Sequence, residues 1–298
     1  MQTIQATLRT AMAQLDAARV DAPATTARLL LSQTAGQSKE WLIAHGDEPL
    51  ATDKQQHFQS LLARVMAHEP LFYVLGHREF FGLDLHIDKR VLIPRPETEM
   101  LVELALDALA QSGCAAVRGD IQVIDVGAGS GAVPIAIAKH APAIALLATD
   151  ISKDALDVAR LNAARHGVMD RIAFVQADLL AGIHAAPLVI TANLPYVTCA
   201  EIDGLPPEIQ EHEPRVALDG GEDGLDLVRR LLSQITSMAE TAGRTRLRAA
   251  FLEFGASQGE AVLQAARTIL PRAQCEIKKD LAQLDRVLSI RFVHAIEQ

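Results

Sequence analysis

The chain has 298 residues, 28 Lys and Arg against 37 Asp and Glu (formal net charge −9), 49% hydrophobic and 22% charged residues. That balance excludes a disordered chain and suits about two domains, while an acidic surface argues against stable association with free nucleic acid, whose phosphates would repel it. No apolar run approaches the roughly 20 residues of a membrane helix, and Met1–Leu8 offers no basic stretch leading into an apolar secretion signal, so no membrane and a cytoplasmic location are expected.

The first quarter reads as helical. Ile4, Leu8, Met12 and Leu15 recur at spacings of four and three, the stripe of an amphipathic helix. Ala24–Thr34 and Lys39–His45 repeat the pattern, and Asp53 opens a further helix with Phe58, Leu61, Leu62, Val65 and Met66 on its apolar side. Residues 1–70 are therefore expected to form a small helical bundle. Residues 71–90 read as a linker, with Arg78–Phe81 and Leu83–Ile87 flanking Gly82 as a possible hairpin. Pro96 can start the next helix, since its missing N–H needs no partner there, and Leu101–Leu109 continues it.

From Asp120 onward strand and helix alternate. Strands are expected at Ile121–Val126, Ile144–Thr149, Ile172–Gln176, Leu188–Ala192 and Ala249–Phe254, with helices at Ala132–His140 and Lys153–His166. Ala273–Lys279 and Arg286–Val293 could pair as an antiparallel hairpin at the sheet edge. The order implies an α/β fold for residues 91–298, a mainly parallel sheet with helices on both faces. Cys114, Cys199 and Cys275 stand far apart without metal-ligand spacing, which reads as three reduced thiols rather than a disulfide framework or a zinc cage.

Asp125-Val126-Gly127-Ala128-Gly129-Ser130-Gly131 lies where the first parallel strand gives way to a helix. Glycines there allow tight turning and close approach of the backbone to a ligand. The spacing is acid-x-Gly-x-Gly-x-Gly, not Gly-x-Gly-x-x-Gly, and no Gly-Lys-Ser/Thr follows, so a nucleotide-phosphate loop is disfavoured. An acid beside the loop suits a cationic amino-acid moiety better than a pyrophosphate. Asp150, ending the second strand, can accept hydrogen bonds from two ribose hydroxyls, and Asp178, followed by Leu179, stands after the third. Each could instead cap a helix. Together the pattern resembles class I (Rossmann-like) S-adenosylmethionine-dependent methyltransferases.

Asn193-Leu194-Pro195-Tyr196 closes the fourth strand, where ligands of an open parallel sheet collect. An ordinary turn would explain Asn and Pro, but not a Tyr from a chain holding only two. The tetrapeptide resembles the Asn/Asp-Pro-Pro-Tyr/Phe motif of methyltransferases acting on planar nitrogens. The Asn193 side-chain oxygen and the Leu194 carbonyl could both accept from such an NH₂ group, Pro195 would stiffen the loop, and Tyr196 would offer a face to the planar group.

Pro70–Phe81, Leu92–Glu99, Glu213–Gly221 with Asp223-Gly224-Leu225, and Leu252–Gly255 closely resemble the HemK/PrmC family along essentially the whole chain. The resemblance implies methyl transfer from S-adenosyl-L-methionine, leaving S-adenosyl-L-homocysteine, to the N5 amide of the Gly-Gly-Gln glutamine of peptide-chain release factors, tuning translation termination. The helical domain holds no obvious reactive residue and is expected to dock the release factor or to serve only as a folding unit; a monomer without a metal is expected. Arg95 could border the substrate entrance or pair with Glu97 or Glu99; Glu213-Pro214-Arg215 could be a loop over the pocket or a plain polar connection. Two departures stand out: Leu194 replaces the usual Pro, which suggests a looser loop, and Gln283 replaces the usual Gly, which questions the terminal hairpin's geometry.

Asn-Leu-Pro-Tyr also resembles ribosomal RNA adenine dimethyltransferases, but those place the helical domain last and are rich in Arg and Lys. Here about 120 residues precede the glycine loop, and the one basic cluster, Arg244-x-Arg246-x-Arg248, is more simply a solvated loop. DNA adenine methylation meets the same charge argument. A non-enzymatic scaffold that merely binds the cofactor is at odds with the intact tetrapeptide.

Overall fold

The computed structural model describes residues 2–112, 120–241 and 246–292, which divide into two compact units: 1–77 with 206–212, and 78–205 with 213–298. Cys114, Arg244 and Val293 lie outside the described residues.

The first unit holds α1 (Ile4–Ala17), α2 (Pro23–Ala35), α3 (Lys39–Ala44), α4 (Thr52–Met66) and α5 (Leu71–Leu75). Thr3 and Ser38 begin α1 and α3, their hydroxyls accepting from the backbone N–H of Ala6 and Trp41, while Pro23 starts α2 at a position that needs no donor. The stripe read from α1 is buried at Ile4, Leu8 and Leu15, and it meets Leu30 and Leu31 of α2 and Phe58, Leu62 and Val65 of α4 in one apolar core. α5 occupies part of the stretch read as linker. It begins after Pro70 and stops at Gly76, whose φ of +77° ends the helix.

β1 (His77–Phe80), all but its first residue in the second unit, pairs with β2 (Leu83–His86) as a two-stranded sheet. Pro96–Thr98 forms a 3₁₀ turn before α6 (Glu99–Gln111). Then come β3 (Ile121–Val126), α7 (Ala132–His140), β4 (Ala145–Asp150), α8 (Lys153–Arg165), β5 (Ile172–Gln176), β6 (Val189–Asn193) and the one-turn helix α9 (Cys199–Ile202). The short α10 (Pro207–Gln210) belongs to the first unit. α11 (Asp226–Thr241), β7 (Ala249–Glu253), α12 (Gly259–Ile269), β8 (Ala273–Lys279) and β9 (Asp285–Phe292) complete the second.

Seven strands form one sheet in the order β5-β4-β3-β6-β7-β9-β8. All neighbours are parallel except β9, which runs antiparallel to both β7 and β8. β3, β6 and β7 are short apolar runs buried on both faces, as a sheet covered on both sides requires. The chain winds outward from β3 to β5, then returns to β6 beside β3. Right-handed crossovers with this reversal place α7 and α8 on one face and α11 on the other, and leave a crevice beyond the carboxyl ends of β3 and β6. The core includes Ile124, Ile190, Leu231, Leu252, Phe254 and Leu288.

The last hairpin forms despite Gln283. Its φ is +64°, so Gln holds the left-handed conformation that glycine adopts more cheaply. Asp280 fastens the turn: its N–H donates to the Leu284 carbonyl, and its carboxylate accepts from the Leu284 N–H.

Candidate active site

A cavity of about 370 Å³ opens at the crevice, and its wall includes Asp125, Gly127, Ala128, Gly129, Ser130, Asp150, Asp178, Leu179, Asn193, Leu194, Pro195 and Arg95. The fold thus gathers onto one surface residues that span more than a hundred positions of sequence. Gly131 and Tyr196 are not part of that wall. A Cβ on Gly131 would lie 2.8 Å from Ile135 Cδ1 and 3.1 Å from Ala159 Cβ, so this glycine serves the packing of α7 against α8. A Cβ on Gly129 would meet nothing within 4 Å, and its φ is +53°.

Two acids frame the glycine loop. Asp125, 3% exposed at the penultimate position of β3, accepts from the Thr191 hydroxyl at 2.6 Å. Burial pushes its carboxyl up to about 7, against the pull of that hydrogen bond. Asp150 accepts from the Gly129 N–H at 2.9 Å through Oδ2 and from the Ser152 N–H at 2.8 Å through Oδ1. Burial raises its carboxyl, and these N–H groups oppose the rise. Asp150 does not cap α8; the Ser152 hydroxyl does, accepting from Ala155 N–H. Each carboxylate oxygen can accept more than one hydrogen bond, so Asp150 retains acceptor capacity toward the cavity. Asp178 is no cap either: it pairs with Arg230 of α11 at 2.5 Å, both side chains about half exposed.

Asn162 is a support that sequence reading missed. This fully buried residue of α8 donates through Nδ2 to the carbonyls of Ser130 and His86, and its Oδ1 accepts from the His86 N–H. One carboxamide therefore ties the end of β2 to the glycine loop.

On the opposite wall Asn193 ends β6. Its Nδ2 donates to the Thr98 hydroxyl at 3.0 Å, and Oδ1 has no hydrogen-bond partner among the described residues. Leu194 is 3% exposed, and its Cδ2 packs 3.4 Å from where a Cβ of Gly127 would stand. Burial of this side chain in the core fastens the loop that Leu in place of Pro was expected to loosen. The Tyr196 carbonyl accepts from Gln258 Nε2 at 2.9 Å. Burial, then the nearby Glu253, pushes the Tyr196 phenol up. Residues 218–221 run alongside this segment, with Val197 N–H donating to the Leu218 carbonyl and Gly220 N–H to that of Val197. Gly220 fits so closely that a Cβ would stand 2.8 Å from the Pro195 carbonyl oxygen.

Arg95 pairs with neither Glu97 nor Glu99. Its Nη2 lies 2.6 Å from Oε1 of Glu213, whose other oxygen accepts from the Ile93 N–H. The pair joins positions 118 apart, a partnership only the topology creates. Arg246 of the basic cluster pairs with Asp120 at 2.6 Å.

The chain matches the PrmC N-terminal domain over residues 6–76 and the methyltransferase small domain over residues 103–204. It is 36% identical over 285 residues to the release factor glutamine methyltransferase of Moorella thermoacetica, covering 95% of this chain and 96% of that one. The protein of the same name from Bradyrhizobium diazoefficiens is 35% identical, covering 97% and 95% respectively. The chain belongs to the release factor glutamine methyltransferase family. Among solved structures, the human METTL16 catalytic domain in complex with an RNA hairpin superposes with a TM-score of 0.57 at 18% identity, over 77% of this chain and 82% of that one. The N-terminal domain of human METTL16 in complex with SAH gives 0.52 at 18% identity, over 77% and 83%. At such identity the likeness concerns the fold: this methyltransferase has the α/β class I architecture. Within the family reading, Gly131 and Tyr196 stand behind the wall, while Thr98 and Asn162 emerge as the buried supports of Asn193 and of the glycine loop.

Proposed function

We propose that this methyltransferase moves a methyl group from S-adenosyl-L-methionine to the N5 side-chain amide of the glutamine in the Gly-Gly-Gln motif of peptide-chain release factors. The observation that carries the reading is Asn193: one N–H of its carboxamide is given to Thr98, and its acceptor oxygen, without a partner among the described residues, is available to the cavity it lines. An amide NH₂ needs acceptors, and family membership supplies the release factor as its source.

The residues fit the cofactor. Asp150 offers acceptor capacity to a ribose, Asp125 a carboxyl to the cationic amino-acid end, and Gly127, Ala128, Gly129 and Ser130 a backbone edge without bulk at Gly129. Asp178 and Leu179 would border the adenine, with Arg230 holding the Asp178 carboxylate in place. S-adenosyl-L-methionine supplies an electrophilic methyl carbon and leaves as S-adenosyl-L-homocysteine.

The amide nitrogen is a poor nucleophile because its lone pair is delocalised into the carbonyl. Asn193 Oδ1 and the Leu194 carbonyl would accept its two N–H groups, turning the π face toward the methyl and favouring the positive charge that develops on nitrogen. As the N–C bond forms and the C–S bond breaks, one N–H proton leaves to water, since Asn193 is no base at neutral pH. Pro195 stiffens the loop, Tyr196 backs it, and Arg95, fixed by Glu213, borders the approach. The helical unit would dock the release factor. The enzyme would work in the cytoplasm as a monomer, without stable nucleic-acid binding.

The test is to incubate the protein with methyl-labelled cofactor, an unmodified release factor and ribosomal RNA together. Label is expected on the Gly-Gly-Gln glutamine and absent from RNA, with Asn193→Ala inactive. Label on RNA and none on that glutamine would overturn the reading.

A further inference from the structure

We propose that Glu253, acting through the Thr98 hydroxyl, fixes which way round the Asn193 carboxamide sits, and so is a positioning residue for the amide that is methylated. The inference rests on the reading that Asn193 Oδ1 receives the substrate NH₂.

Three observations carry it. Glu253 ends β7 and is the register partner of Asn193 across the β6–β7 ladder. It is 1% exposed, and neither carboxyl oxygen has a hydrogen-bond partner among the described residues. Thr98, 5% exposed, stands in the 3₁₀ turn before α6, where its hydroxyl accepts from Asn193 and lies near enough to Glu253 to favour the ionised carboxyl, without completing a hydrogen bond to it. A buried carboxyl without a full hydrogen bond is costly to keep. The reading of methyl transfer gives it no task.

A hydroxyl has one hydrogen and two lone pairs. Ionised Glu253 accepts only, so a turn of the Thr98 hydroxyl would bring its O–H to the carboxylate; the lone pairs of Thr98 then receive Asn193 Nδ2, as they do in the structure, and Oδ1 is presented to the substrate. Protonated Glu253 can donate to the Thr98 oxygen instead. The Thr98 hydrogen is then free to turn to Asn193 Oδ1, reversing the carboxamide and presenting a donor where the substrate needs an acceptor. Burial raises the Glu253 carboxyl to about 7, so both states are accessible near neutrality. The charged groups around it are Arg286 of β9 and Arg95, which favour ionisation, and Glu97, which opposes it; the Tyr196 phenol also feels its charge. Arg286 is itself held by Asp280 at 3.2 Å.

The experiment measures kcat from pH 6 to 9 at saturating cofactor and release factor, alongside S-adenosyl-L-homocysteine affinity by calorimetry. Wild type should gain rate as pH rises through neutrality. Glu253→Gln, which offers either an oxygen or an NH₂ to Thr98, should lose about tenfold at pH 8 and show a shallower profile, the slope that remains being that of Asp125, with homocysteine-product affinity within about twofold. Thr98→Val should do the same, and Thr98→Ser should recover the sloping profile. If both Glu253→Gln and Thr98→Val keep the wild-type rate and slope while Asn193→Ala is inactive, the proposal fails and the role of Asn193 stands. If Asn193→Ala keeps turnover, the underlying reading fails. A loss of product affinity in step with kcat would show a general structural lesion and likewise overturn the proposal.

Discussion

Gly129 and Gly131 stand two residues apart in one loop, both with positive φ, yet the structure assigns their substitution by alanine different consequences. In Gly131→Ala the new Cβ meets Ile135 Cδ1 at 2.8 Å and Ala159 at 3.1 and 3.2 Å, and the φ of +82° remains. Left-handed backbone costs a residue with a Cβ about 1–2 kcal/mol, and forcing a methyl between two packed helices costs about 1–3 kcal/mol. The sum, about 3 kcal/mol, should lower the melting temperature by about 6–12 °C in a unit of this size. Gly129→Ala carries the backbone strain alone, because its Cβ meets nothing within 4 Å. It should melt within about 2–8 °C of wild type yet bind S-adenosyl-L-homocysteine at least about tenfold more weakly, because the methyl projects into space the ligand would occupy. Thermal melts with calorimetric titration separate the two. Wild-type melting of Gly131→Ala, or wild-type affinity in Gly129→Ala, would refute the division of labour.

Three further outcomes are expected. Asp150→Ala should weaken cofactor affinity about 100-fold, since hydrogen bonds to a charged acceptor contribute about 1.5–3 kcal/mol each; an unchanged dissociation constant in calorimetry would count against ribose binding. Burial lifts Glu253 from its ordinary range to about 7, so the folded chain keeps a proton that the unfolded chain releases between about pH 4.5 and 7, and stability falls as pH rises through that window. Glu253→Gln removes this penalty of up to about 3 kcal/mol, and its melting advantage over wild type should grow from pH 5 to pH 8; a constant difference would contradict the assignment. Gln283→Gly should stabilise the terminal hairpin by about 0.5–1 kcal/mol by relieving the left-handed backbone, read as a higher denaturation midpoint; an unchanged or lower midpoint would refute it.

Much of the sheet was legible because its strands are short apolar runs bounded by turn residues. Ile121–Val126, Ile172–Gln176 and Ala273–Lys279 fall where they were expected, and the others shift by a residue or so at their ends. α11 and α12 were not among the expected elements, although Leu227, Leu231 and Ile235 carry a helical stripe that periodicity would reveal. α5 is only five residues long, too short for a periodic signal, and its Gly76 stop is the clearest mark it leaves. The glycine loop and Asn193 were legible because each follows a buried strand, and the fold carries both to one crevice. Their supports were not. Thr98 with Asn193, Asn162 with Ser130 and Arg95 with Glu213 join positions far apart in sequence, and only the folded topology brings them together.

The most direct measurement is a crystal structure of the protein with S-adenosyl-L-homocysteine and a peptide bearing Gly-Gly-Gln. The glutamine side-chain nitrogen is expected within about 3 Å of both Asn193 Oδ1 and the Leu194 carbonyl oxygen, the spacing of an N–H···O bond, with Asn193 Nδ2 still on Thr98. A glutamine bound elsewhere in the cavity, or an Asn193 side chain turned from it, would contradict the account.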